Sequence, residues 1–326
     1  GRNANSQLGN GTTTQLNVPT VIDAGTSYKA ISGGIDHTCG ITGKGEVRCW
    51  GANYSGQVGN GGTTDARPYP VPVDLGTTYS TISAGQAHTC GITTTGLVKC
   101  WGDNGGPQLG DGTNISKNLP VLVASAGERF KSVSAGDLHT CGITQSGAAK
   151  CWGSDSNGQL GTVVLAASAT PSLVDPGVDY VAISAGYGHT CGITAGGALK
   201  CWGYNFYGEL GDGTLTNKST PVMINSTVIY KEISAGGWYT CGITQSGLLR
   251  CWGNNANGRL GDGTTTRRTA PVPINSPVTY KKISTGVAHT RGITTSGDLK
   301  SWGLNSEGQV GDGTIIQKLS PVVISK

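Results

Sequence analysis

The sequence has little charge and few aromatic residues. Charged side chains make up 13% of its 326 residues and aromatic side chains 6%, with one methionine and two phenylalanines. The net charge is only +4, and no basic run exceeds Arg267–Arg268. The chain therefore lacks an electrostatic footprint for nucleic acid or for an anionic membrane surface. No apolar stretch approaches the roughly 18 residues that cross a bilayer, so we expect neither nucleic-acid binding nor membrane insertion.

Recognisable catalytic and cofactor motifs are also missing. No Ser-His-Asp arrangement, phosphate-binding loop or Gly-x-Gly-x-x-Gly signature stands out. Four Gly-Asp-Gly-Thr loops resemble part of a calcium loop, but they lack its alternating oxygen ligands. We expect no catalytic residue, no cofactor and no metal site, and hence a protein that is not an enzyme.

What the sequence has is glycine, 55 residues of it, and one repeat of about fifty residues. Each unit reads Tyr-x-x-Ile-Ser-Ala-Gly-x-x-His-Thr-Cys-Gly-Ile-Thr, then a Gly-containing turn, a segment ending Cys-Trp-Gly, and a polar loop Asn-x-x-Gly-Gln-Leu-Gly-Asp-Gly-Thr before Pro-Val. Four short β-like runs per unit are separated by Gly-rich turns, and none is long enough for an ordinary helix. In one unit these runs, called A to D, are Tyr230–Ser234, Thr240–Thr244, Leu248–Trp252 and Pro271–Ile274.

Four antiparallel strands repeated in this way predict the blades of an all-β propeller, as one domain over residues 1–326. A half-repeat occupies residues 1–24, and full repeats start near residues 28, 79, 130, 180, 230 and 280. The loop-plus-D half occurs seven times but the A–B–C half only six times. We predict seven blades with one incomplete, its inner strands being expected before Gly1 or after Lys326. A six-bladed ring, a solenoid and a tandem immunoglobulin-like array are the alternatives, and the array needs about a hundred residues per domain.

The repeat resembles the regulator-of-chromosome-condensation repeat family. The matching features are Ser-Ala-Gly-x-x-His-Thr, the Trp-Gly end of strand C, and Gly-Gln-Leu-Gly, of which Gly158–Gly161 is one instance. The resemblance covers essentially the whole chain and implies a seven-bladed ring. It also implies protein-binding functions: nuclear members act in guanine-nucleotide exchange, and a secreted bacterial propeller of this type inhibits β-lactamase.

The ten cysteines fall in five pairs, each with a spacing of ten residues. A three-residue turn between strands B and C sets the two cysteines of a pair opposite each other, near disulfide distance. In the sixth copy Arg291 and Ser301 replace both cysteines together. Zinc is the rival interpretation, but two Cys and one His supply only three ligands.

Five bridges would indicate an oxidising compartment, so we expect a secreted, periplasmic or cell-surface protein. The predicted pairs are Cys39 with Cys49, Cys90 with Cys100, Cys141 with Cys151, Cys191 with Cys201, and Cys241 with Cys251.

One histidine per repeat stands at the start of strand B, and Tyr239 takes its place in one repeat. A single recurrent position favours a structural role, in which each histidine satisfies backbone groups of the A–B turn. The alternative is a ring of imidazoles for metal or proton transfer. The histidines are His37, His88, His139, His189 and His289.

Eight of the twenty aromatic residues fall outside the recurrent Trp and Tyr positions. Because the A–B and C–D loops of a blade emerge on the same face, we expect six of these eight to meet on one face across two adjacent blades. Clustered Tyr and Trp in loops are typical of binding hot spots, and aromatic platforms also stack on sugars. Gap-filling between loops is the alternative. The six are Tyr187, Tyr204, Phe206, Tyr207, Trp238 and Tyr239.

These patterns favour an extracellular or cell-surface binding scaffold that recognises a protein or a polysaccharide through one propeller face. A structural subunit of a surface assembly or filament is an alternative, because an unmatched D segment can add to a neighbour's sheet. An enzyme inhibitor similar to the β-lactamase-inhibiting relative is another. Guanine-nucleotide exchange is the least favoured, since five cysteine pairs do not suit a reducing nucleus and no blade carries an inserted wedge.

Overall fold

Short antiparallel strands joined by Gly-rich turns recur along the chain in the order that the repeat predicts. The computed structural model describes residues 1–63 and 65–324, and these residues contain strands and turns but no helix. Within each unit the four strands pair in sequence order, so that A pairs with B, B with C, and C with D. The A–B turns of six blades line a central channel, which places strand A innermost.

The first two blades are separate sheets, whereas the other four are joined in pairs through the long strands β12 and β19. The first blade consists of β1 (Tyr28–Gly33), β2 (His37–Thr42), β3 (Val47–Gly51) and β4 (Arg67–Val73). The second consists of β5 (Tyr79–Ala84), β6 (His88–Thr93), β7 (Val98–Gly102) and β8 (Lys117–Leu122). The third and fourth share β12 (Ser168–Ala185), together with β9 (Phe130–Ala135), β10 (His139–Thr144), β11 (Ala148–Gly153), β13 (His189–Thr194), β14 (Leu199–Gly203) and β15 (Lys218–Ile224). The fifth and sixth share β19 (Arg268–Thr285), together with β16 (Tyr230–Ala235), β17 (Tyr239–Thr244), β18 (Leu248–Gly253), β20 (His289–Thr294), β21 (Leu299–Gly303) and β22 (Lys318–Val323).

The half-repeat at residues 1–24 occupies a seventh position in the ring. The Gly313 amide donates to Asn17 O at 2.8 Å, as the Gly61 amide donates to Asn118 O between the first two blades. On its other side, the indole of Trp50 donates to Gln7 O at 3.0 Å. The half-repeat therefore lies between the sixth and first blades. The predicted seven-bladed propeller with one incomplete blade is confirmed, and the six-bladed alternative is wrong.

The apolar cores lie between successive blades. One of them combines Cys90, Ile92 and Val98 of the second blade with Phe130 and Trp152 of the third. Four further clusters repeat this arrangement around the ring. The recurrent aromatic residues are buried as expected, except Tyr28, which begins the blade next to the incomplete seventh position.

The register between strands B and C brings the two cysteines of each predicted pair into direct opposition. All five pairs are joined as disulfides, with Cα atoms 4.1 Å apart. In the sixth blade Arg291 lies opposite Ser301 in the same register. The disulfides are Cys39 with Cys49, Cys90 with Cys100, Cys141 with Cys151, Cys191 with Cys201, and Cys241 with Cys251.

Because the register of the sixth blade matches that of the others, the double variant Arg291→Cys with Ser301→Cys should form a sixth disulfide. Closing this short loop should stabilise the double variant by about 2–3 kcal/mol relative to the single variant Arg291→Cys on the chain-entropy account, since both variants lose the hydrogen bond from Arg291 to Gln309 O. Peptide mapping without reduction should identify the new link, and chemical denaturation should measure the gain. The single variant Arg291→Cys is the control and should keep a free thiol. Two free thiols in the double variant under oxidising conditions would contradict the register.

Candidate functional site

The A–B turn and the C–D loop of each blade are tied together on one face of the propeller. In the fourth blade the amide of Tyr204, just after strand C, donates to Gly188 O at 2.8 Å in the A–B turn. In the fifth blade the Asn254 amide donates to Trp238 O at the same distance. These bonds fix side chains from the two loops side by side, as the strand order requires.

Five of the six predicted aromatic residues meet in one continuous cluster on this face. Trp238 is central: its ring centroid lies 5.0 Å from that of Tyr187 at 79°, and 6.3 Å from that of Tyr207. Phe206 contacts Tyr207 at 5.1 Å and Tyr204 at 6.4 Å. Phe206 is 56% exposed, and the other four are half-buried. We call Tyr187, Tyr204, Phe206, Tyr207 and Trp238 the aromatic cluster.

Tyr239 does not belong to this cluster, and the expectation that it faces a partner is wrong. It is 0% exposed. Its hydroxyl donates to His289 O at 2.6 Å and lies 3.0 Å from Thr290 Oγ1. Tyr239 opens strand β17, so the alternation of the strand turns it into the core while its neighbour Trp238 stays in the turn.

Four of the five recurrent histidines join their blade to the next one. His139 Nε2 lies 2.9 Å from Thr190 Oγ1, and His37, His88 and His189 make the same contact with the following blade. The partner is thus a threonine hydroxyl rather than backbone of the A–B turn, which corrects the reason given for a structural role. Burial lowers the pKa of His139 to about 4, so the imidazole is neutral at physiological pH.

Replacing His139 by Ala should lower the free energy of unfolding by about 1–3 kcal/mol, because Thr190 loses a buried partner and a gap remains. The folded-state pKa of His139 lies below its unfolded value. Its contribution is therefore present above about pH 6.5 and is lost as pH falls towards about 4. The variant should accordingly lose less stability on acidification than the wild type. Denaturation curves at pH 7.5 and pH 4.5 test both statements, and an unchanged free energy at pH 7.5 would contradict them.

Glu209 is the buried acid beneath the aromatic cluster. It occupies the position held by glutamine in five other loops and is 0% exposed. Its Oε2 accepts the Tyr207 amide at 2.7 Å, and its Oε1 is buried without a hydrogen-bond partner among the described residues. Burial raises the pKa of Glu209 to about 7. A carboxylate thus stands where the repeat needs only a neutral amide.

Glu209→Gln should stabilise the protein at pH 8 by on the order of 1–3 kcal/mol and have little effect at pH 4. Because the folded-state pKa is raised, the unfolded chain ionises first, and wild-type stability falls between about pH 4.5 and pH 7. The difference in free energy of unfolding between wild type and Glu209→Gln should therefore grow between about pH 4.5 and pH 7 and stay constant above about pH 7.

Gln159 supplies the matched control, since its Oε1 accepts the Asn157 amide at 2.8 Å in the equivalent loop. Gln159→Glu should introduce the same pH dependence into the third blade. Parallel stability curves for wild type and Glu209→Gln from pH 4 to pH 8 would show that Glu209 titrates normally.

Asp137 is the residue of this face that sequence reasoning passed over. It holds the repeat position of Tyr187, one blade earlier, and its carboxyl is half-buried. Burial and the charge of Asp103 raise its pKa to about 6. Its turn position differs in every blade, so the repeat gives no signal that singles it out.

Among residues 1–63 and 65–324, no group of three or more His, Cys, Asp or Glu side chains could hold a metal ion. A search of the same residues finds no helix with the length and apolarity to cross a membrane.

Comparisons with known proteins identify relatives along the whole chain. A family model described as RCC1-like domain matches residues 1–326. The ultraviolet-B receptor UVR8 of Arabidopsis thaliana is 35% identical over 159 residues, which cover 48% of this chain and 36% of the receptor. The matched part thus spans about a third of that receptor's length.

Two solved structures have the same fold. The crystal structure of human WBSCR16 has a TM-score of 0.88 at 20% identity, covering 99% of this chain and 92% of that one. The structure of Kap60 bound to yeast RCC1 (Prp20) gives a TM-score of 0.88 at 19% identity, covering 100% and 82%. At these identities the likeness concerns the fold alone.

Proposed function

This chain belongs to the RCC1-like domain family, and we propose on that premise that it is a non-catalytic scaffold that binds a protein through the face carrying the aromatic cluster. One relative is named as a receptor, and another was crystallised with the protein Kap60 bound. Since a propeller fold hosts unrelated functions, the proposal rests on the site in this chain.

The observation that carries the proposal is the aromatic cluster itself. The recurrent aromatics are buried between blades, whereas Phe206 is 56% exposed and Trp238, Tyr187, Tyr204 and Tyr207 are half-buried around it. Large rings in loops cost solubility unless a partner covers them. Tyr and Trp are also the side chains that dominate binding hot spots.

The mutual angles of the rings favour a protein partner over a polysaccharide. Trp238 and Tyr187 meet at 79°, and Phe206 and Tyr207 at 89°. Perpendicular rings form corners that receive protruding side chains, whereas a sugar stacks best on one flat exposed face. Binding of a polysaccharide is the alternative outcome of the test below.

The five disulfides support an oxidising location for this function. Each of them is buried in the core between blades, and such bonds persist outside the reducing cytosol. We propose that the protein works outside the cell or at its surface. Guanine-nucleotide exchange in a nucleus fits this chemistry poorly.

Trp238→Ala should weaken partner binding by about 30-fold or more, the equivalent of about 2 kcal/mol. The fold should remain, because Trp238 lies in a turn outside the blade cores. The measurement is a screen of the wild type against arrays of secreted and cell-surface proteins and of glycans. Affinities of the hits are then determined for wild type and variant, with solution mass measured in parallel.

Tyr54 supplies the matched control. It occupies the repeat position of Phe206 in the first blade, is 63% exposed and makes no ring contact with the cluster. Tyr54→Ala should leave affinity unchanged. Equal losses for the two variants, hits confined to glycans, or a dimer that Trp238→Ala dissociates would each overturn the proposal of a heterologous protein partner at this face.

A further inference from the structure

We propose that a recess beside the aromatic cluster binds a cationic side chain of the partner, an alkylammonium group such as that of lysine. This inference deepens the proposed function, since it names the chemistry that the partner presents to the same face. The recess has a volume of about 180 Å³ and lies between the third, fourth and fifth blades. The lining side chains that matter are Asp137, Asn157, Tyr187, Tyr204 and Trp238.

Three of the side chains that line the recess are aromatic, and the others are mostly polar. Tyr187 and Trp238 stand at 79° with centroids 5.0 Å apart, and Tyr204 closes a further side. The faces of aromatic rings carry negative quadrupole charge, so several rings around one cavity attract a cation. The volume far exceeds the roughly 10–15 Å³ that one water needs, and it leaves room for the apolar stem of a lysine.

Asp137 supplies the formal negative charge. It takes part in no ion pair with any other residue of 1–63 or 65–324. With its side-chain amide turned so that the nitrogen faces Asp137, Gln86 donates to this carboxylate, but that donor is neutral. The negative charge of this half-buried carboxylate is not neutralised by a counter-ion among these residues. A cation that enters the recess would neutralise it.

The other charged groups around the recess do not neutralise the negative charge of Asp137. Asp103 adds negative charge near Asp137. Burial raises the pKa of the Tyr187 hydroxyl, and the charges of Asp137 and Asp36 raise it further. Arg259 is the nearby base and acts on Tyr187 in the opposite sense. Its guanidinium is committed elsewhere, donating to Val287 O at 3.2 Å and to Asn257 Oδ1 at 2.7 Å, and it does not line the recess.

The test titrates the full chain with Nα-acetyl-lysine amide and follows the indole N–H resonances by NMR. Trp238 is the tryptophan outside the recurrent buried set, so its signal reports on the recess. We expect saturable movement of the Trp238 resonance alone at concentrations up to about 50 mM. The uncharged isostere Nα-acetyl-norleucine amide should leave it in place. Movement with both ligands, or with neither, would overturn the inference.

Variants connect the signal to the carboxylate. Asp137→Asn should weaken binding of the lysine ligand by about tenfold or more. Tyr204→Ala should also weaken this binding, and it tests the recess independently of the folding of the asparagine variant. Glu46→Gln removes an exposed acid from the B–C turn on the opposite face and should change nothing. Equal weakening by Glu46→Gln would mean diffuse attraction rather than a site.

The outcomes also separate this inference from the proposed function. If Trp238→Ala abolishes partner binding while the lysine ligand leaves the Trp238 resonance unmoved, the binding face stands and the cation recess fails. If the ligand binds as expected while Trp238→Ala leaves the partner's affinity intact, the recess exists and the proposed function fails.

Discussion

One backbone carbonyl in each polar loop holds successive blades together. The Gln57 carbonyl accepts the Trp101 indole at 3.0 Å and the Thr89 hydroxyl at 2.9 Å, both from the next blade. The Thr89 hydroxyl in turn lies 2.8 Å from His37 Nε2. A buried carbonyl left without a partner costs about 1–3 kcal/mol, so these residue types are required together. The recurrent Trp, Thr and His of the repeat thus form one hydrogen-bonded junction around this carbonyl.

The same geometry decides where the chain is free to vary. Beside the channel, a Cβ added at Gly85 would lie 2.3 Å from Gly136 O, so this position admits only glycine. The next residue in each turn differs from blade to blade: Gln86, Asp137 and Tyr187 hold this position in turn. A binding face can therefore arise at these turns and at the tips of the C–D loops, where substitution leaves the junctions between blades intact. The aromatic cluster occupies both places.

Repetition is why the fold was predictable from the sequence and why part of the site was not. Strand order, turns and opposed cysteines follow from a pattern seen six times, because each copy tests the others. Tyr239 was misjudged because its type resembled the cluster, although its register was that of the buried histidines, and register decides where a strand residue points. Asp137 gave no strong signal, since an acid in a loop is ordinary. Its surroundings come from two neighbouring blades that no local pattern describes.

Arg291 contacts the corresponding loop carbonyl of the sixth blade. Its guanidinium donates to Gln309 O at 2.9 Å, the loop carbonyl that in five other loops accepts both a tryptophan and a threonine from the following blade. At this position the chain thus carries a side-chain donor to the loop carbonyl instead of a cysteine. Leu299, on the same side of the sixth blade, is 39% exposed, whereas Leu249 in the fifth is 1% exposed. The aromatic cluster is centred on the fourth blade. Both neighbours of this blade have all four strands.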